Sequence, residues 1–212
     1  VSKSYNFKNN LLNGEYIEYL PIGYISVKGE FSNGLKTGIW ETFNENGDIF
    51  SIGKYVNDYQ NGNWKFFHNS GNLSLEGIFK NGYESGQWIS YYDGGELDEI
   101  GEYINGLKDG KWGRFHVDGS LKQEEIYKLG KLIEVSDFYL SDGNVFKNET
   151  FDNGNGELFD YYEDGNIFSI AKYKNGLLNG MYLEYHTNGK ILQSGMYKNC
   201  LLYTSPSPRD CL

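Results

Sequence analysis

The chain has 212 residues, of which 28 are glycine, 3 are proline and 17% are aromatic. Glycine and asparagine are abundant while alanine occurs once, a composition that disfavours a helix-dominated fold and is typical of short strands joined by tight turns. The 29 acidic and 19 basic side chains give a net charge of −10, which disfavours binding to nucleic acids and to anionic membranes.

The first 13 residues are predicted to be the end of a partial repeat that began upstream. The segment Lys8–Gly14 has the sequence KNNLLNG, which closely matches KNGLLNG at Lys174–Gly180. Because the chain begins with Val1 rather than Met, we expect a longer parent sequence. Any targeting signal could lie upstream, so the sequence does not indicate the cellular compartment.

Residues 14–199 form a tandem array of about eight repeats of 24 residues. Counted from the first residue of a repeat, glycine follows nine positions later, an aliphatic residue eleven positions later, and aromatic residues five and seventeen positions later. Four positions kept in every repeat indicate one structural element copied along the chain. The repeats begin at Gly14, Gly38, Gly62, Gly86, Gly110, Glu134, Gly156 and Gly180, and the sixth is shorter than the others.

Two sets of turn dipeptides predict how each repeat folds. Positive φ at both central residues, which Asn, Asp and Gly tolerate best, is typical of the type I′ turn of β-hairpins. Two turns leave two strands per repeat, so we predict an all-β fold: an elongated, single-layer antiparallel meander of about sixteen strands, each buried mainly by its neighbours. The first set is Asn33-Gly34, Asn81-Gly82, Asn105-Gly106, Asn153-Gly154 and Asn175-Gly176. The second set is Asn46-Gly47, Asp118-Gly119, Asp142-Gly143, Asp164-Gly165 and Asn188-Gly189.

The sixth repeat departs from this pattern. Glu134 and Glu149 stand where other repeats have glycine, and Ser136 stands where four repeats have tryptophan. We therefore expect a kink or an irregular hairpin in this part of the array.

Residues 200–212 are predicted to be a non-native or disordered tail. They hold both cysteines, Cys200 and Cys211, and two of the three prolines, and they resemble a translated vector end. The preceding 199 residues contain no cysteine, so no disulfide framework or thiolate metal site is expected there.

The histidines and the acidic residues are not predicted to form a catalytic or metal site. The histidines share one repeat position, and the first two of them would lie roughly 20 Å apart, too far to share a metal ion. We expect them at the solvent edge and interpret the main acidic cluster as a solvated face, so no enzyme activity, metal or cofactor is predicted. The histidines are His68, His116 and His186, and the acidic cluster is Asp93, Glu96, Asp98, Glu99 and Glu102.

Tryptophan recurs two residues after the start of four successive repeats. One interpretation is structural, with each ring packed against its aromatic neighbours in the sheet. The other is functional, because a stripe of amphipathic rings suits a partner's strand, loop or peptide. Both interpretations stay open. The candidate partner-binding residues are Trp40, Trp64, Trp88 and Trp112.

Two segments resemble a known repeat family. They are Gly77–Trp88, with the sequence GIFKNGYESGQW, and Gly101–Trp112, with the sequence GEYINGLKDGKW. Both resemble the MORN repeat, and Gly86–Leu97 (GQWISYYDGGEL) is similar to its bacterial variant, which occurs in YwqK-like antitoxins. The resemblance covers about residues 14–199 and implies an elongated antiparallel β-array used for contacts with proteins.

These observations predict a non-enzymatic scaffold for protein–protein interactions, and the resemblance extends this to an antitoxin or immunity protein that sequesters a partner. The acidic charge suits a basic partner such as a toxin, because long-range attraction speeds encounter. The alternative hypothesis is a cell-envelope module that binds carbohydrate through exposed aromatic rows. Membrane contact is disfavoured because the chain has no basic stripe, and the oligomeric state cannot be read from the sequence.

Overall fold

The computed structural model describes residues 2–203, and these form β-strands joined by turns and loops. The chain divides into two compact units, an N-terminal unit that ends at Leu107 and a C-terminal unit that begins at Lys108. Both units consist of successive antiparallel hairpins, so the predicted all-β meander is confirmed. Within the predicted tail, residues 204–212 and therefore Cys211 lie outside the described residues.

The N-terminal unit is a meander in which each strand pairs with the next one along the chain. Because side chains alternate between the two faces of a strand, every second residue lies on the same face. The strands are β1 (Ser2–Lys8), β2 (Leu11–Tyr19), β3 (Ile25–Ser32), β4 (Leu35–Phe43), β5 (Ile49–Val56), β6 (Tyr59–Phe67), β7 (Leu73–Lys80), β8 (Tyr83–Tyr91) and β9 (Leu97–Ile104).

The connections at the two ends of the strands differ, and we refer to these two sides of the sheet as its edges. At one edge the Asn33-Gly34 dipeptide has φ of 50° and 85°, which fits the predicted type I′ turn. At the other edge the same prediction is wrong, because only Gly47 of the Asn46-Gly47 dipeptide has positive φ. The physical reason is a five-residue loop in which the Asn44 side chain accepts hydrogen bonds from the amides of Asn46 and Asp48, both 3.0 Å long.

Tryptophan rings lie directly against the glycine backbone of the preceding strand. A Cβ atom added to Gly53 would lie 2.1 Å from the Trp64 ring, and one added to Gly77 would lie 2.1 Å from the Trp88 ring. No side chain fits in that space, since real Cβ atoms do not approach other heavy atoms so closely. The glycine fifteen residues into these repeats is therefore required by the ring that covers it.

Each of these tryptophans also packs against the aromatic residues on both sides of it. Consecutive rings meet edge to face, with centroids 4.9–6.1 Å apart and interplanar angles of 72–90°. Such pairs each contribute about 0.5–1.5 kcal/mol beyond the burial of their area. We call this row the aromatic ladder, and its members are Phe31, Trp40, Tyr55, Trp64, Phe79, Trp88 and Tyr103.

The Gly77→Ala variant is expected to lower the free energy of unfolding of the N-terminal unit by about 1–3 kcal/mol, which is the usual cost of overpacking. Adding Trp88→Leu removes the ring that the new Cβ would meet. The double variant should therefore lose less stability than the two single variants lose together. Urea denaturation followed by circular dichroism measures each value.

The control for this cycle is Gly62→Ala combined with Trp88→Leu. A Cβ at Gly62 meets no atom within 4 Å, although the φ of 80° carries backbone strain. The losses of stability should therefore add in the control pair. Additive losses for Gly77→Ala and Trp88→Leu would contradict the proposed ring–backbone contact.

The C-terminal unit contains three groups of antiparallel strands. Strands β10–β12 pair in order, β13 pairs with β14, and β15–β20 form a six-stranded meander. Residues 201–203 of the predicted tail therefore belong to a strand. The strands are β10 (Leu107–Phe115), β11 (Leu121–Lys128), β12 (Lys131–Val135), β13 (Phe138–Tyr139), β14 (Val145–Phe146), β15 (Phe151–Asp152), β16 (Asn155–Tyr161), β17 (Ile167–Lys174), β18 (Leu177–Tyr185), β19 (Ile191–Lys198) and β20 (Leu201–Tyr203).

The sixth repeat is irregular, as the sequence predicts, and a small core lies beside it. Leu132, at the end of the fifth repeat, and Phe138, in the sixth, are each only 2% exposed. The Asn148 side chain donates hydrogen bonds to the carbonyls of Val135 and Phe151, at 3.0 and 3.2 Å. Ser136 supplies no ring at the tryptophan position, and the Phe138 ring packs instead against His116 and Tyr161 of the two flanking repeats, with centroids 6.5 and 5.2 Å away.

Tyr173 gives the C-terminal unit a pH dependence at high pH. Burial, together with the nearby Glu125 carboxylate, raises the pKa of Tyr173 to about 12. The unfolded tyrosine ionises near pH 10, so the stabilising contribution of Tyr173 is complete below about pH 10 and is lost as the pH rises towards 12. We expect Tyr173→Phe to remove up to about 3 kcal/mol of this alkaline loss in pH-dependent unfolding curves. The exposed Tyr59→Phe control should leave it unchanged.

Candidate functional site

The four tryptophans proposed from the sequence as partner-binding residues are buried. Trp40, Trp64 and Trp88 are each 4% exposed, and Trp112 is 2% exposed. The rings therefore leave little area for direct contact with another molecule. Their role in partner binding stays a prediction, and their measured surroundings are those of core residues.

The polar atom of each indole ring is also satisfied within the protein. The Nε1 atoms of Trp40, Trp64 and Trp88 donate to main-chain carbonyls ten residues earlier in the sequence, at 3.2, 3.2 and 3.3 Å. A buried tryptophan needs such an acceptor, because an unpaired N–H loses its hydration without compensation. These bonds fix the orientation of the rings on the sheet.

Lysine side chains cover part of the aromatic rows, a feature that the sequence analysis missed. The Lys36 ammonium lies 4.4 Å from the Trp40 ring centroid and 4.9 Å from that of Tyr55. In the C-terminal unit, the Lys108 ammonium lies 4.0 Å from the Trp112 ring centroid. All three distances are within the range of a cation–π interaction. Both lysines stand two residues before the start of a repeat, but other repeats have different residues there, so the sequence alone contains no clear signal.

The face of the N-terminal sheet opposite the aromatic ladder, which we call the back face, carries a continuous row of isoleucine and charged residues. Each member is directly paired with the next across neighbouring strands. The Lys65 ammonium and the Glu76 carboxylate form an ion pair at 3.5 Å within this row. We call it the charged row, and from β2 to β8 its members are Ile17, Lys28, Glu41, Ile52, Lys65, Glu76 and Ile89.

Two open grooves lie on the back face beside the charged row. One, of about 460 Å³, is lined by strands β2–β4 and includes Ile39, which is 56% exposed. The other, of about 400 Å³, is lined by strands β6–β8 and includes Ile78, which is 45% exposed. Exposed aliphatic side chains next to charged ones form a surface that can contact another protein.

Two of the four loops at one edge of the N-terminal sheet are acidic. The loop at 44–48 contributes Glu45 and Asp48, and the loop at 92–96 contributes Asp93 and Glu96, all of them exposed. Neither loop contains a lysine or an arginine. The turns at the opposite edge include Asp58 and are flanked by lysines. The ends of the strands on this side of the sheet are therefore distinctly negative. We call this side the acidic edge and define it by these four carboxylates.

Two members of the predicted acidic cluster are engaged in hydrogen bonds within the protein. Asp93 accepts a hydrogen bond from the Ser70 hydroxyl, and Asp98 accepts one from the Ser90 hydroxyl at 3.1 Å. These contacts hold carboxylates in place on neighbouring strands and loops. Among residues 2–203 there is no group of three potential ligands arranged to hold a metal ion.

The prediction that the histidines lie at the solvent edge is wrong for His116, which is 2% exposed. Its Nδ1 lies 2.7 Å from the Glu163 carboxylate, and its Nε2 lies 2.7 Å from the Tyr139 carbonyl oxygen. The equivalent His68 places Nε2 2.8 Å from the carbonyl oxygen of Tyr91. In both cases the acceptor lies 23 residues later in the sequence. The imidazole therefore connects a loop to the following repeat, which is a structural role.

A third groove, of about 450 Å³, lies among the first strands of the N-terminal unit. Three of the polar groups that line it are connected. The Tyr16 hydroxyl donates to Glu18 at 2.7 Å, and the Lys3 ammonium lies 3.3 Å from the same carboxylate. The hydrogen bond from Tyr16 lowers the pKa of Glu18, while burial raises the pKa of Tyr16. The carboxylate is thus held in its charged form.

Comparison with known proteins supports the resemblance noted in the sequence. No curated protein matches this chain. The described part of the chain includes no helical segment that could cross a lipid bilayer. The model of the MORN repeat variant matches five segments of 22 residues each, which together cover just over half of the chain: 36–57, 60–81, 84–105, 154–175 and 178–199. This chain therefore belongs to the MORN repeat variant family.

Proposed function

We propose that this chain is a non-enzymatic scaffold that sequesters a basic partner protein in a stoichiometric complex, as an antitoxin or immunity protein does. MORN repeats form scaffolds for binding, and proteins built from them are typically not enzymes. The observation that carries the finer proposal is the acidic edge of the N-terminal unit. Its four exposed carboxylates project from loops that the repeated strands hold in a row.

The charge of the N-terminal unit supports a basic partner. Residues 1–107 contain fourteen acidic and seven basic side chains. A field of one sign raises the rate of encounter with an oppositely charged protein, and salt screens this attraction. The acidic edge concentrates the field on one side of the sheet, so it also orients the approaching partner.

The aromatic ladder supports this proposal by holding the loops in fixed positions. Its rings are packed edge to face and hydrogen-bonded to the sheet, so the strands that end at the acidic edge lose little freedom on binding. A preorganised surface binds more tightly than a mobile one of equal area. The tryptophans thus contribute to binding through the shape of the sheet.

The first test uses the protein encoded by the gene adjacent to that of this chain. Co-expression is expected to give a stoichiometric complex and to relieve any growth arrest that the adjacent protein causes alone. The complex should weaken as the ionic strength rises. An adjacent protein that neither binds nor arrests growth would contradict the antitoxin proposal.

The second test neutralises part of the acidic edge. Asp48→Asn combined with Glu96→Gln is expected to slow association with that partner several-fold, because two attractive charges are lost. The matched control, Asp58→Asn with Glu84→Gln, removes the same charge from other positions in the same unit. Stopped-flow association measured at two salt concentrations distinguishes the pairs. Equal slowing in both would show that only the net charge matters.

The tryptophans provide a third test. Trp64→Ala and Trp88→Ala are each expected to lower the free energy of unfolding by about 3–5 kcal/mol and to weaken partner binding, because the ladder that positions the loops is interrupted. Circular dichroism establishes the folded fraction, and calorimetric titration then measures affinity per folded molecule. Unchanged affinity in both variants would remove the tryptophans from the binding mechanism.

Carbohydrate binding is the alternative function, and one observation favours it. Tyr59 and Tyr83 are exposed and occupy equivalent positions in successive repeats. Because the tryptophans are buried, these tyrosines would have to provide the stacking surface. Binding to a glycan array that disappears in the Tyr59→Ala/Tyr83→Ala variant would support this function over the protein-binding one.

A further inference from the structure

We propose that the back face of the N-terminal unit is a homodimer interface in which the charged rows of two copies face each other across a two-fold axis parallel to β5. The proposal concerns the face opposite the aromatic ladder and does not depend on the acidic edge or its partner. The occupant of this face is a second copy of the same chain.

The order of residues in the charged row carries this inference. From β2 to β8 the row reads isoleucine, lysine, glutamate, isoleucine, lysine, glutamate, isoleucine, with Ile52 at its centre. Each lysine on one side of Ile52 is matched by a glutamate at the same distance on the other side. A two-fold axis that runs parallel to β5, midway between two stacked sheets, places the row of one copy over the row of the other in the opposite order. Lys28 of one copy then meets Glu76 of the other, and Glu41 meets Lys65.

The apolar members of the row match in the same arrangement. Ile52 lies on the axis and meets its own copy, while Ile17 meets Ile89. Beyond the row, Val56 also lies over the axis, and the exposed Leu35 meets the exposed Tyr59. Seven strands of each copy therefore take part, and apolar groups meet apolar groups at both ends and at the centre.

Other orientations of the two sheets are disfavoured by charge. A two-fold axis along the row would place Lys28 on Lys28 and Glu41 on Glu41, and like charges brought together at an interface cost several kcal/mol. An axis displaced to either side along the row leaves fewer strands in contact. The arrangement centred on Ile52 is the one that satisfies all four charged residues in each copy.

The two grooves of the back face also meet in this arrangement. The groove of strands β2–β4, with Ile39, faces the groove of strands β6–β8, with Ile78. Each groove then receives an exposed isoleucine from the other copy, so both side chains become buried. Stacked sheets about 10 Å apart interdigitate their side chains in this way.

The size of the contact indicates a dimer of modest affinity. Seven strands spaced about 4.8 Å apart, each contributing about 17 Å of its length, bury roughly 1,200 Å² in total, which is at the lower limit of specific interfaces. The four charged residues of the row sum to zero in a chain whose net charge is −10. Two residues are exceptions: Lys54 lies near the axis and would meet its own copy, and the exposed Glu30 would meet Ile78.

The experiment uses two double variants that keep the net charge and the neighbouring opposite charges of each chain. Variant X carries Lys28→Glu and Glu41→Lys, and variant Y carries Lys65→Glu and Glu76→Lys. In a dimer of X with itself, or of Y with itself, every charged pair of the row becomes a like-charge pair. In the X–Y heterodimer every pair is again opposite. Sedimentation velocity over a range of concentrations measures the self-association of each sample.

We expect the wild type to dimerise, X and Y alone to dimerise at least about tenfold more weakly, and an equimolar mixture of X and Y to recover the wild-type dimer. Lys54→Leu should tighten the wild-type dimer, because it removes the one like-charge pair. A monomeric wild type, or X and Y that dimerise as well alone as mixed, would overturn the proposal. Circular dichroism establishes that both variants are folded.

Discussion

The contact of an indole ring with bare glycine backbone is the constraint on which the N-terminal unit depends. A single-layer sheet has no second layer to cover its large side chains, yet Trp40, Trp64 and Trp88 are 4% exposed. They reach this burial because the glycine beneath each ring allows it to lie flat on the neighbouring strand, while aromatic rings close both of its sides. Each repeat therefore buries its own ring with material from its neighbours.

The sequence is consistent with this pairing of glycine and tryptophan, because positions within residues 14–199 that lack the tryptophan also lack the glycine. Glycine precedes tryptophan by eleven residues at Gly29, Gly53 and Gly77, and the same spacing leads from Glu125 to Ser136 in the irregular repeat. The single alanine of the chain, Ala171, stands in the glycine position and is paired with Leu158 and Tyr182. Where no indole ring has to be accommodated, the backbone no longer has to be bare. Glycine and tryptophan thus change together for a steric reason.

Local features of the fold could be predicted from the sequence, whereas features that depend on contacts between distant residues could not. The period and the type I′ turns follow from residue types and φ preferences, which act over a few residues. The five-residue loops were missed because main-chain hydrogen bonds between their ends close them, such as Asn44 N–H to the Asp48 carbonyl, and these bonds do not depend on the dipeptide alone. Burial of the tryptophans was left open, because the alternation of side chains does not show which face of the sheet lysine side chains and other aromatic rings will cover. The burial of His116 was missed because it depends on Glu163, which is distant in sequence.

The aromatic ladder and the charged row have different periods along the sheet, so the packing that fixes the ladder does not fix the charged row. The ladder repeats every two strands, because each 24-residue copy supplies one hairpin. The charged row repeats every three strands, as isoleucine, lysine and glutamate, so copying of the hairpin does not generate it. The residues of the row, such as Ile52 and Lys65, can vary without disturbing the rings on the other face, because they point away from them. Packing of the ladder does not require this pattern, and this is the reason for proposing that a second copy of the chain, in contact with this face, accounts for it.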